Sequence, residues 1–313
     1  MSRVKERVEE SVEESAERPL WQADEHEAGR FLLQKPTRPA GRPEWLWRGN
    51  RVIDYRICAL MPAVTHRHPS DPAVSAEAQP PARLFALVPC AGIGARSGTA
   101  VPKQYAAVAG RSLVAHTLGT LAGVTRLSAT LVVLSPDDSQ FEASVPRFAG
   151  WVARVGGATR AQTVANGLDE LFRRGARPAD WVLVHDAARC MLRAAWVDAL
   201  IDACLDDPVG GLLALPLADT LKSEGDGARL GRVQATVSRA AKWLAQTPQM
   251  FRLQALRDAL ALARTGQLDI SDEASAIEAA GASPRLVAGS IENFKVTYPA
   301  DFDLAERLLR SRQ

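Results

Sequence analysis

Residues 84–92 read LFALVPCAG, an unbroken apolar run that ends at glycine. A run of this length without alternation is typical of a strand buried on both faces, as in a parallel sheet. A loop rich in glycine follows directly, in PCAGIGARSG at residues 89–98. Ligands of open α/β sheets bind beyond the carboxyl ends of the strands, so this loop is the first candidate binding element.

Strands and helices alternate along the rest of the chain. Further strands are predicted in ATLVVLS (129–135), ADWVLVHDAAR (179–189) and GLLALPLADT (211–220). Amphipathic helices are predicted around residues 113–121 and in the segments 196–207, 253–266 and 299–310. This alternation predicts an α/β fold with a single doubly wound, mostly parallel, Rossmann-like sheet covered by helices on both faces.

Composition excludes several classes of protein. The net charge of the 313 residues is only +2, which gives no reason to expect binding to nucleic acid or to an acidic membrane surface. No apolar run approaches the roughly 20 residues of a membrane span, and the N-terminus lacks the apolar core of a signal peptide. The four cysteines show no disulfide or zinc spacing. We therefore expect a cytoplasmic protein.

The first 81 residues differ from the remainder. They combine a charged run, scattered tryptophans and a Pro/Ala-rich stretch, with little hydrophobic periodicity. We predict a mostly disordered leader at 1–81 and a catalytic domain at 82–313. Two alternatives stay open: a docking arm carried by Trp45 and Trp47, and a translation start at Met61.

The glycine loop matches neither common nucleotide motif. The dinucleotide fingerprint requires a glycine where Ser97 stands, and the Walker pattern is absent. What remains is G-x-G-x-R, followed seven residues later by lysine, which gives Arg96 and Lys103. Two permanent cations beside backbone amides suit a triphosphate, because nucleotidyl transfer needs mainly charge neutralisation. The alternative is that both are ordinary surface cations.

Seven segments in order resemble the methylerythritol-phosphate cytidylyltransferase family. They are PCAGIGARSGTAVPKQY (89–105), GGATRAQTVANGL (156–168), VHDAAR (184–189), ADTLK (218–222), QTPQMF (246–251), DEASAIE (272–278) and NFKVTYPADFDLAE (293–306). The resemblance implies a single α/β domain with a projecting β-arm, at about residues 217–241, that forms a homodimer. It also implies a Mg²⁺-dependent reaction that joins CTP and 2-C-methyl-D-erythritol 4-phosphate, with release of pyrophosphate.

The resemblance assigns roles position by position. The catalytic cations would be Arg96, Lys103 and Lys295. The CTP-binding residues would be Ala91, Gly92, Gly94, Gly157, Ala158, Arg160, Thr163, Asp186 and Ala187. The second substrate would contact Asp186, Arg189, Thr220, Arg239 and Thr247, with Thr220 and Arg239 reaching into the partner's site. The metal ligands are left open, with Asp186 as a weak candidate.

The chain departs from the family pattern at several of these positions. Ala158 replaces an acid and Thr163 a serine, and Cys190 replaces a proline. Ser238 and the Ala240-Ala241 pair flank Arg239 where the family often has aspartate and asparagine-glycine. We expect His185 to be structural, Cys190 not to be a nucleophile, and the acid pair at 272–273 to open a helix rather than bind a metal.

Three other functions compete with this interpretation. A ribitol-5-phosphate cytidylyltransferase shares the loop and much of the order of motifs. A glycosyltransferase would require a D-x-D motif after a buried strand, which ADTLK and HDAAR do not provide. A non-catalytic nucleotide-binding subunit would be expected to lose the loop cations, whereas this chain keeps them.

Overall fold

A computed structural model of the 313-residue chain describes residues 80–92, 101–227 and 230–312. The predicted leader lies outside these residues except for Pro80 and Pro81, and so do Gly94 and Arg96 of the glycine loop. None of the helices in the described ranges combines the length and apolarity needed to cross a membrane.

Eleven strands occur in the described residues. They are β1 (Leu84–Cys90), β2 (Ala107–Val108), β3 (Arg111–Ser112), β4 (Ala129–Leu134), β5 (Trp151–Ala153), β6 (Trp181–Val184), β7 (Gly210–Pro216), β8 (Leu221–Glu224), β9 (Val233–Val237), β10 (Trp243–Arg252) and β11 (Arg285–Ala288). Seven of them form one sheet in the order β11-β7-β10-β6-β1-β4-β5. The pairs β1–β4, β1–β6, β4–β5 and β7–β11 are parallel. This confirms the predicted mostly parallel sheet.

Helices cover both faces of this sheet. They are α1 (Leu113–Ala122), α2 (Phe141–Ser144), α3 (Arg160–Arg173), α4 (Ala194–Cys204), α5 (Leu253–Thr265), α6 (Glu273–Ala279) and α7 (Pro299–Arg310). Buried side chains of α1 and α4 share one apolar cluster with the sheet, and those of α3, α5 and α6 share another. The two clusters show that the sheet is doubly wound, because every central strand buries side chains on both faces.

The strand β10 was not assigned from the sequence. It runs antiparallel to both neighbours, β6 and β7, and its pairing with β7 is irregular between Ala245 and Gln249. Its C-terminal half is buried, whereas Trp243 and Leu244 at its start are exposed. The strand therefore connects an exposed part of the molecule to the centre of the sheet.

A separate two-stranded hairpin precedes β10, in the region predicted as an arm. Strands β8 and β9 pair antiparallel, and the amide of Leu217 donates to the carbonyl of Lys242 at the base of the hairpin. The predicted turn at Gly225-Asp226-Gly227 lies at the tip, where Gly227 has a φ of 52°. The conformation of Gly227 is one that glycine adopts without steric cost.

A cluster of charged side chains lies at the N-terminal ends of the central strands β1 and β6. The side chain of Asp180 is fully buried just before β6 and accepts hydrogen bonds from Arg83 and Arg177. Arg177 also donates to the carbonyls of Pro80 and Pro81. This network fixes residues 80–83 to the N-terminal ends of β1 and β6, whereas the glycine loop follows the C-terminal end of β1.

Candidate active site

Asp186 stands at the carboxyl end of β6, beside the end of β1. The amide of His185 still donates to the carbonyl of Leu87, so the strand ladder leads directly to Asp186. The carboxylate of Asp186 is 9% exposed and forms ion pairs with Arg160 Nε at 2.9 Å and Lys295 Nζ at 2.8 Å. Three segments far apart in the sequence therefore converge on one acid, at the edge where an open α/β sheet binds its ligand.

Arg160 is the first residue of α3 and lies between two carboxylates. Thr159 caps the helix by accepting from the amide of Gln162, which fixes the point where α3 begins. The guanidinium of Arg160 donates from Nη1 and Nη2 to the two oxygens of Glu273, and from Nε to Asp186. A planar guanidinium that makes all three contacts has its orientation set by the protein.

The charges of this cluster shift the pKa values of its members. Burial alone would raise the pKa of Asp186, but Arg160, Lys295 and Arg189 hold it well below the usual range. Burial alone would lower the pKa of Arg160, and the carboxylates of Glu273 and Asp186 raise it above the usual range. Asp186 is therefore an anion that holds cations at the strand edge.

Arg189 is largely buried three residues after Asp186. Its Nη1 donates to the carbonyl of Asn293 at 2.7 Å, and its Nη2 to that of Ala245 at 3.3 Å. Its Nε is 3.8 Å from Asp186 Oδ2 and has no hydrogen-bond partner. Burial lowers the pKa of Arg189 below the usual range for arginine. Arg189 is therefore held mainly by two backbone carbonyls, and its buried charge lies near that of Asp186.

The loop that carries Gly157 and Ala158, two of the predicted CTP-binding residues, packs against the end of β1. The amide of Gly156 donates to the carbonyl of Leu134, and a Cβ at Gly156 would lie 2.4 Å from the Cβ of Ala91. The hydroxyl of Thr163 accepts from the amide of Gly157 at 3.1 Å. Ala158 is exposed beside them. Because the loop is held through its backbone and Thr163, it keeps its shape without an acid at position 158.

Lys103 connects the glycine loop to the segment that carries Lys295. Its Nζ donates to the carbonyl of Val296, the residue after Lys295, at 3.0 Å. The neighbouring Gln104 is buried and donates to the carbonyl of Cys90 at the end of β1. The structure thus places the ammonium group of Lys103 against the backbone next to Lys295, the second of the three predicted catalytic cations. The third, Arg96, lies outside the described residues and stays a prediction.

Thr247, on β10, contacts the carboxyl end of β6. Its hydroxyl accepts from the amide of Asp186 at 3.0 Å and contacts His185 Nδ1 at 3.1 Å. Ala187 is buried, and its carbonyl accepts from the hydroxyl of Thr117.

The side chain of His185 is inaccessible to solvent, and burial lowers its pKa to about 4, as expected for a structural histidine. Burial raises the pKa of the Cys190 thiol to about 12, which does not favour a nucleophile.

Two predicted substrate contacts lie elsewhere in this chain. Thr220 and Arg239 are exposed on the hairpin, and Arg239 donates to the carbonyl of Ala218 at its base. Within the described residues, no hydrogen bond or ion pair joins either of them to the Asp186 cluster. This placement agrees with a role in a second subunit and does not test it.

Two buried residues of the site were not predicted from the sequence. Asp272 caps α6 and Glu273 opens it, as expected, but Glu273 also holds Arg160. Asn293 is fully buried and donates to the carbonyl of Thr247 at 2.8 Å. The only signal for Glu273 was an acid at a helix start, where acids are common for other reasons.

The cluster does not form a metal cage of its own. Within residues 80–92, 101–227 and 230–312, no group of three or more His, Cys, Asp or Glu side chains is placed to bind a metal ion. Both oxygens of Asp186 already contact cations, so the donor set does not favour Asp186 as a ligand. Magnesium often binds mainly to substrate phosphates and water, and such a mode requires no cage.

The chain is similar to proteins of one family over most of the described domain. The family described as 2-C-methyl-D-erythritol 4-phosphate cytidylyltransferase matches residues 84–311. Relatives of that name from Paraburkholderia phytofirmans and Burkholderia cenocepacia are 53% and 54% identical over 230 residues, which is 72% of this chain and 96% of theirs. A bifunctional enzyme IspD/IspF from Albidiferax ferrireducens is 55% identical over 242 residues, which is 77% of this chain but only 56% of the relative.

Solved structures show the same similarity. A crystal structure of 4-diphosphocytidyl-2C-methyl-D-erythritol synthase has a TM-score of 0.64 and 38% identity, over 72% of this chain and 99% of that one. The 2-C-methyl-D-erythritol 4-phosphate cytidylyltransferase of Thermus thermophilus has a TM-score of 0.60 and 34% identity, over 73% and 99%. Because the family matches residues 84–311 and relatives of that name are 53% and 54% identical over 72% of this chain, the chain belongs to the 2-C-methyl-D-erythritol 4-phosphate cytidylyltransferase family.

Proposed function

We propose that this chain transfers the CMP group of CTP to 2-C-methyl-D-erythritol 4-phosphate, giving 4-diphosphocytidyl-2-C-methyl-D-erythritol and pyrophosphate. The observation that carries the proposal is the convergence of Arg160 and Lys295 on Asp186 at the carboxyl end of β6, beside Lys103. Fixed cations at this edge suit two phosphate-bearing substrates, because they reduce the repulsion between the approaching anions.

The chemistry follows from this arrangement. An oxygen of the methylerythritol phosphate forms a bond to the α-phosphorus of CTP, and the bond from that phosphorus to the β-phosphate oxygen breaks. The attacking phosphate is already ionised, so the site requires no general base. Lys103 and Lys295 stabilise the charge on the phosphorus and on the departing pyrophosphate. Arg96 would add a further cation from the glycine loop.

The base is proposed to bind at the loop of Gly157. The amide of Gly157 is held by Thr163, and the neighbouring Gly156 packs against Ala91 of the glycine loop. A backbone carbonyl in such a loop accepts a hydrogen bond from an amino group, which cytosine has and uracil lacks. Discrimination against UTP is therefore assigned to the main chain, and the alanine at 158 is compatible with it.

Magnesium is proposed to enter with the nucleotide. The described residues offer no cage for it, and a CTP complex brings the ion bound to its own phosphates. Omitting magnesium from the assay should abolish turnover. The roles given to the protein residues do not depend on how the ion is held.

A homodimer through the hairpin is proposed from its exposed apolar side chains. Leu230 is 73% exposed and Val233 65% exposed on the hairpin, and Leu244 is 52% exposed on β10 where the hairpin joins the sheet. Large apolar side chains exposed to this degree suit a protein interface. Val233→Asp should lower the mass measured by light scattering from that of a dimer to that of a monomer.

Subunit mixing tests whether Arg239 acts in the partner's site. Arg239→Ala and Lys295→Met homodimers should each be nearly inactive. If Arg239 acts across the dimer, a refolded equimolar mixture contains heterodimers with one intact site and recovers about a quarter of the wild-type rate. If Arg239 serves its own subunit, the mixture stays inactive.

Product analysis tests the reaction itself. The purified chain is incubated with CTP, Mg²⁺ and either methylerythritol phosphate or ribitol 5-phosphate, and the products are identified by mass spectrometry. The cytidine diphosphate adduct of methylerythritol is expected. Preference for ribitol 5-phosphate would establish the alternative cytidylyltransferase, and no product with either would favour a non-catalytic subunit.

The compartment is proposed to be the cytoplasm. Cys90, Cys190 and Cys204 are buried free thiols, as is usual in a reducing environment.

A further inference from the structure

His185 precedes Asp186 at the end of β6 and has partners on both ring nitrogens. Its Nδ1 lies 3.1 Å from the hydroxyl oxygen of Thr247, on β10. Its Nε2 lies 3.3 Å from the carbonyl oxygen of Arg189, at the far end of the turn. That turn is closed by a backbone hydrogen bond from the amide of Arg189 to the carbonyl of Asp186. The imidazole therefore spans the turn that presents both charged residues.

The positions of the protons follow from the partners. The carbonyl of Arg189 has no proton, so Nε2 must carry one. In a neutral ring Nδ1 is then an acceptor. The hydroxyl oxygen of Thr247 already accepts from the amide of Asp186 at 3.0 Å, and its own proton is free to be donated to Nδ1. Each donor in this set then has one acceptor.

We propose that His185 is a positioning residue that, as the neutral Nε2–H tautomer, joins the amide of Asp186 through Thr247 to the carbonyl of Arg189. The sequence of hydrogen bonds is amide of Asp186 to hydroxyl of Thr247, hydroxyl to Nδ1, and Nε2–H to the carbonyl of Arg189. We call this set the His185 relay. Hydrogen bonds arranged in series polarise one another and hold a single geometry.

The relay sets the direction of two functional side chains. The side chain of Asp186 extends from the turn to Arg160 and Lys295. The side chain of Arg189 extends to the carbonyls of Asn293 and Ala245. His185 itself has no solvent-accessible surface, so it cannot touch a substrate. Its effect on the reaction is exerted through Asp186 and Arg189.

The relay also limits what Thr247 can do. Its proton is directed to His185, and one lone pair is taken by the amide of Asp186. A single acceptor position remains. A substrate group that contacts this oxygen must therefore donate, as a sugar-alcohol hydroxyl does and a phosphate oxygen does not. This part of the inference rests on the proposed function, whereas the tautomer does not.

The tautomer can be measured without substrate. Long-range ¹H–¹⁵N correlation spectra of the full-length protein, labelled at its five histidines, distinguish protonated from unprotonated ring nitrogens. His185→Gln identifies the resonances of His185. We expect a protonated Nε2 and an unprotonated Nδ1. A protonated Nδ1, in either the opposite tautomer or a doubly protonated ring, would overturn the proposal.

Kinetics test the positioning role separately. His185→Phe fills the space but removes both hydrogen bonds, and we expect KM for methylerythritol phosphate to rise about tenfold. His185→Gln restores a donor to the carbonyl of Arg189 and should recover part of this loss. His116→Gln, a half-buried histidine bonded to Val108 outside the cluster, serves as the control.

The outcomes separate the two proposals. A folded His185→Phe enzyme with wild-type KM would refute the positioning role, whatever its thermal stability. If His185→Phe does not fold, the spectrum of the wild-type protein still decides the tautomer. A wild-type protein that shows the expected tautomer but no turnover would contradict the proposed function and leave the relay intact.

Discussion

Arg160 grips Glu273 through two parallel hydrogen bonds of 2.7 and 3.0 Å, while its third donor holds Asp186. Glu273 is 1% exposed, and burial raises its pKa above the usual range although Arg160 opposes the shift. The two acids lie on different elements, α6 and the end of β6. A single side chain therefore fixes the distance between the helix start and the strand end.

Replacing Glu273 by Gln should weaken both the fold and the site. The variant leaves Arg160 with one carboxylate instead of two, and we expect about 2 kcal/mol lower free energy of unfolding, since breaking a buried pair leaves a partner uncompensated. KM for CTP should rise because Arg160 is no longer held in place. Urea titration and steady-state kinetics measure the two effects. Glu278→Gln, an exposed acid on the same helix, should change neither, and equal effects of the two substitutions would contradict the role of the pair.

Lys295→Met should remove catalysis while the fold persists. The side chain keeps its length but loses the cation that meets Asp186 at 2.8 Å. We expect kcat to fall about 10²- to 10³-fold, as for the loss of one donor to a developing anion. Pyrophosphate release measures the rate. Arg307→Met, at an exposed position on α7, is the control. Wild-type kcat in Lys295→Met would exclude the lysine from the reaction.

Gly156→Ala should distort the loop that is proposed to bind the base. The new Cβ would lie 2.4 Å from the Cβ of Ala91 and 2.7 Å from the carbonyl oxygen of Leu134, so backbone has to move. We expect a loss of about 2 kcal/mol in stability and at least tenfold weaker binding of CTP, measured by calorimetry. Gly123→Ala, at the end of α1 with a φ of −79°, provides a matched control with little effect. Unchanged CTP affinity in Gly156→Ala would show that the loop does not contact the nucleotide.

Acid should weaken the fold through Asp180. Hydrogen bonds from Arg177 and Arg83 outweigh burial, which alone would raise the pKa, and lower it from 3.8 to about 2. Because the folded-state pKa is depressed, this stabilisation is complete above pH 4 and is lost as the pH falls toward 2. The difference in unfolding free energy between the wild type and Asp180→Asn should be about 2 kcal/mol at pH 6 and vanish near pH 2. A difference that does not depend on pH would contradict this assignment.

The sequence predicted the local parts of the fold. Apolar runs and 3.6-residue periodicity identified β1, β4, β6 and β7 and the helices α1, α4, α5 and α7, because each is a local pattern. Strand β10 was missed because its pattern is interrupted at Gln246-Thr247-Pro248 and its partners lie far away in the sequence. Pairing of this kind depends on the tertiary structure.

The site residues that could be predicted from the sequence are those that lie in a recognisable motif. Lys103 was named from the loop pattern, and Lys295, Arg160 and Asp186 from the resemblance. The structure joins Arg160 and Lys295 to Asp186 and places Lys103 against the carbonyl of Val296. The partner of Arg160 was not foreseen, since Glu273 is 113 positions away. His185 was expected to be structural, but its proton arrangement requires coordinates for Thr247 and for the carbonyl of Arg189. Such contacts have no signature in one sequence.

The irregular pairing of β10 constrains how the protein can vary in length. Between Ala245 and Gln249 the strand advances four residues while its partner advances two, from Ala214 to Leu212. The extra residues form a bulge that turns Thr247 toward the end of β6. A deletion there would restore a regular ladder but carry Thr247 away from Asp186. Insertions and deletions should therefore be excluded from the four-residue step that follows Ala245.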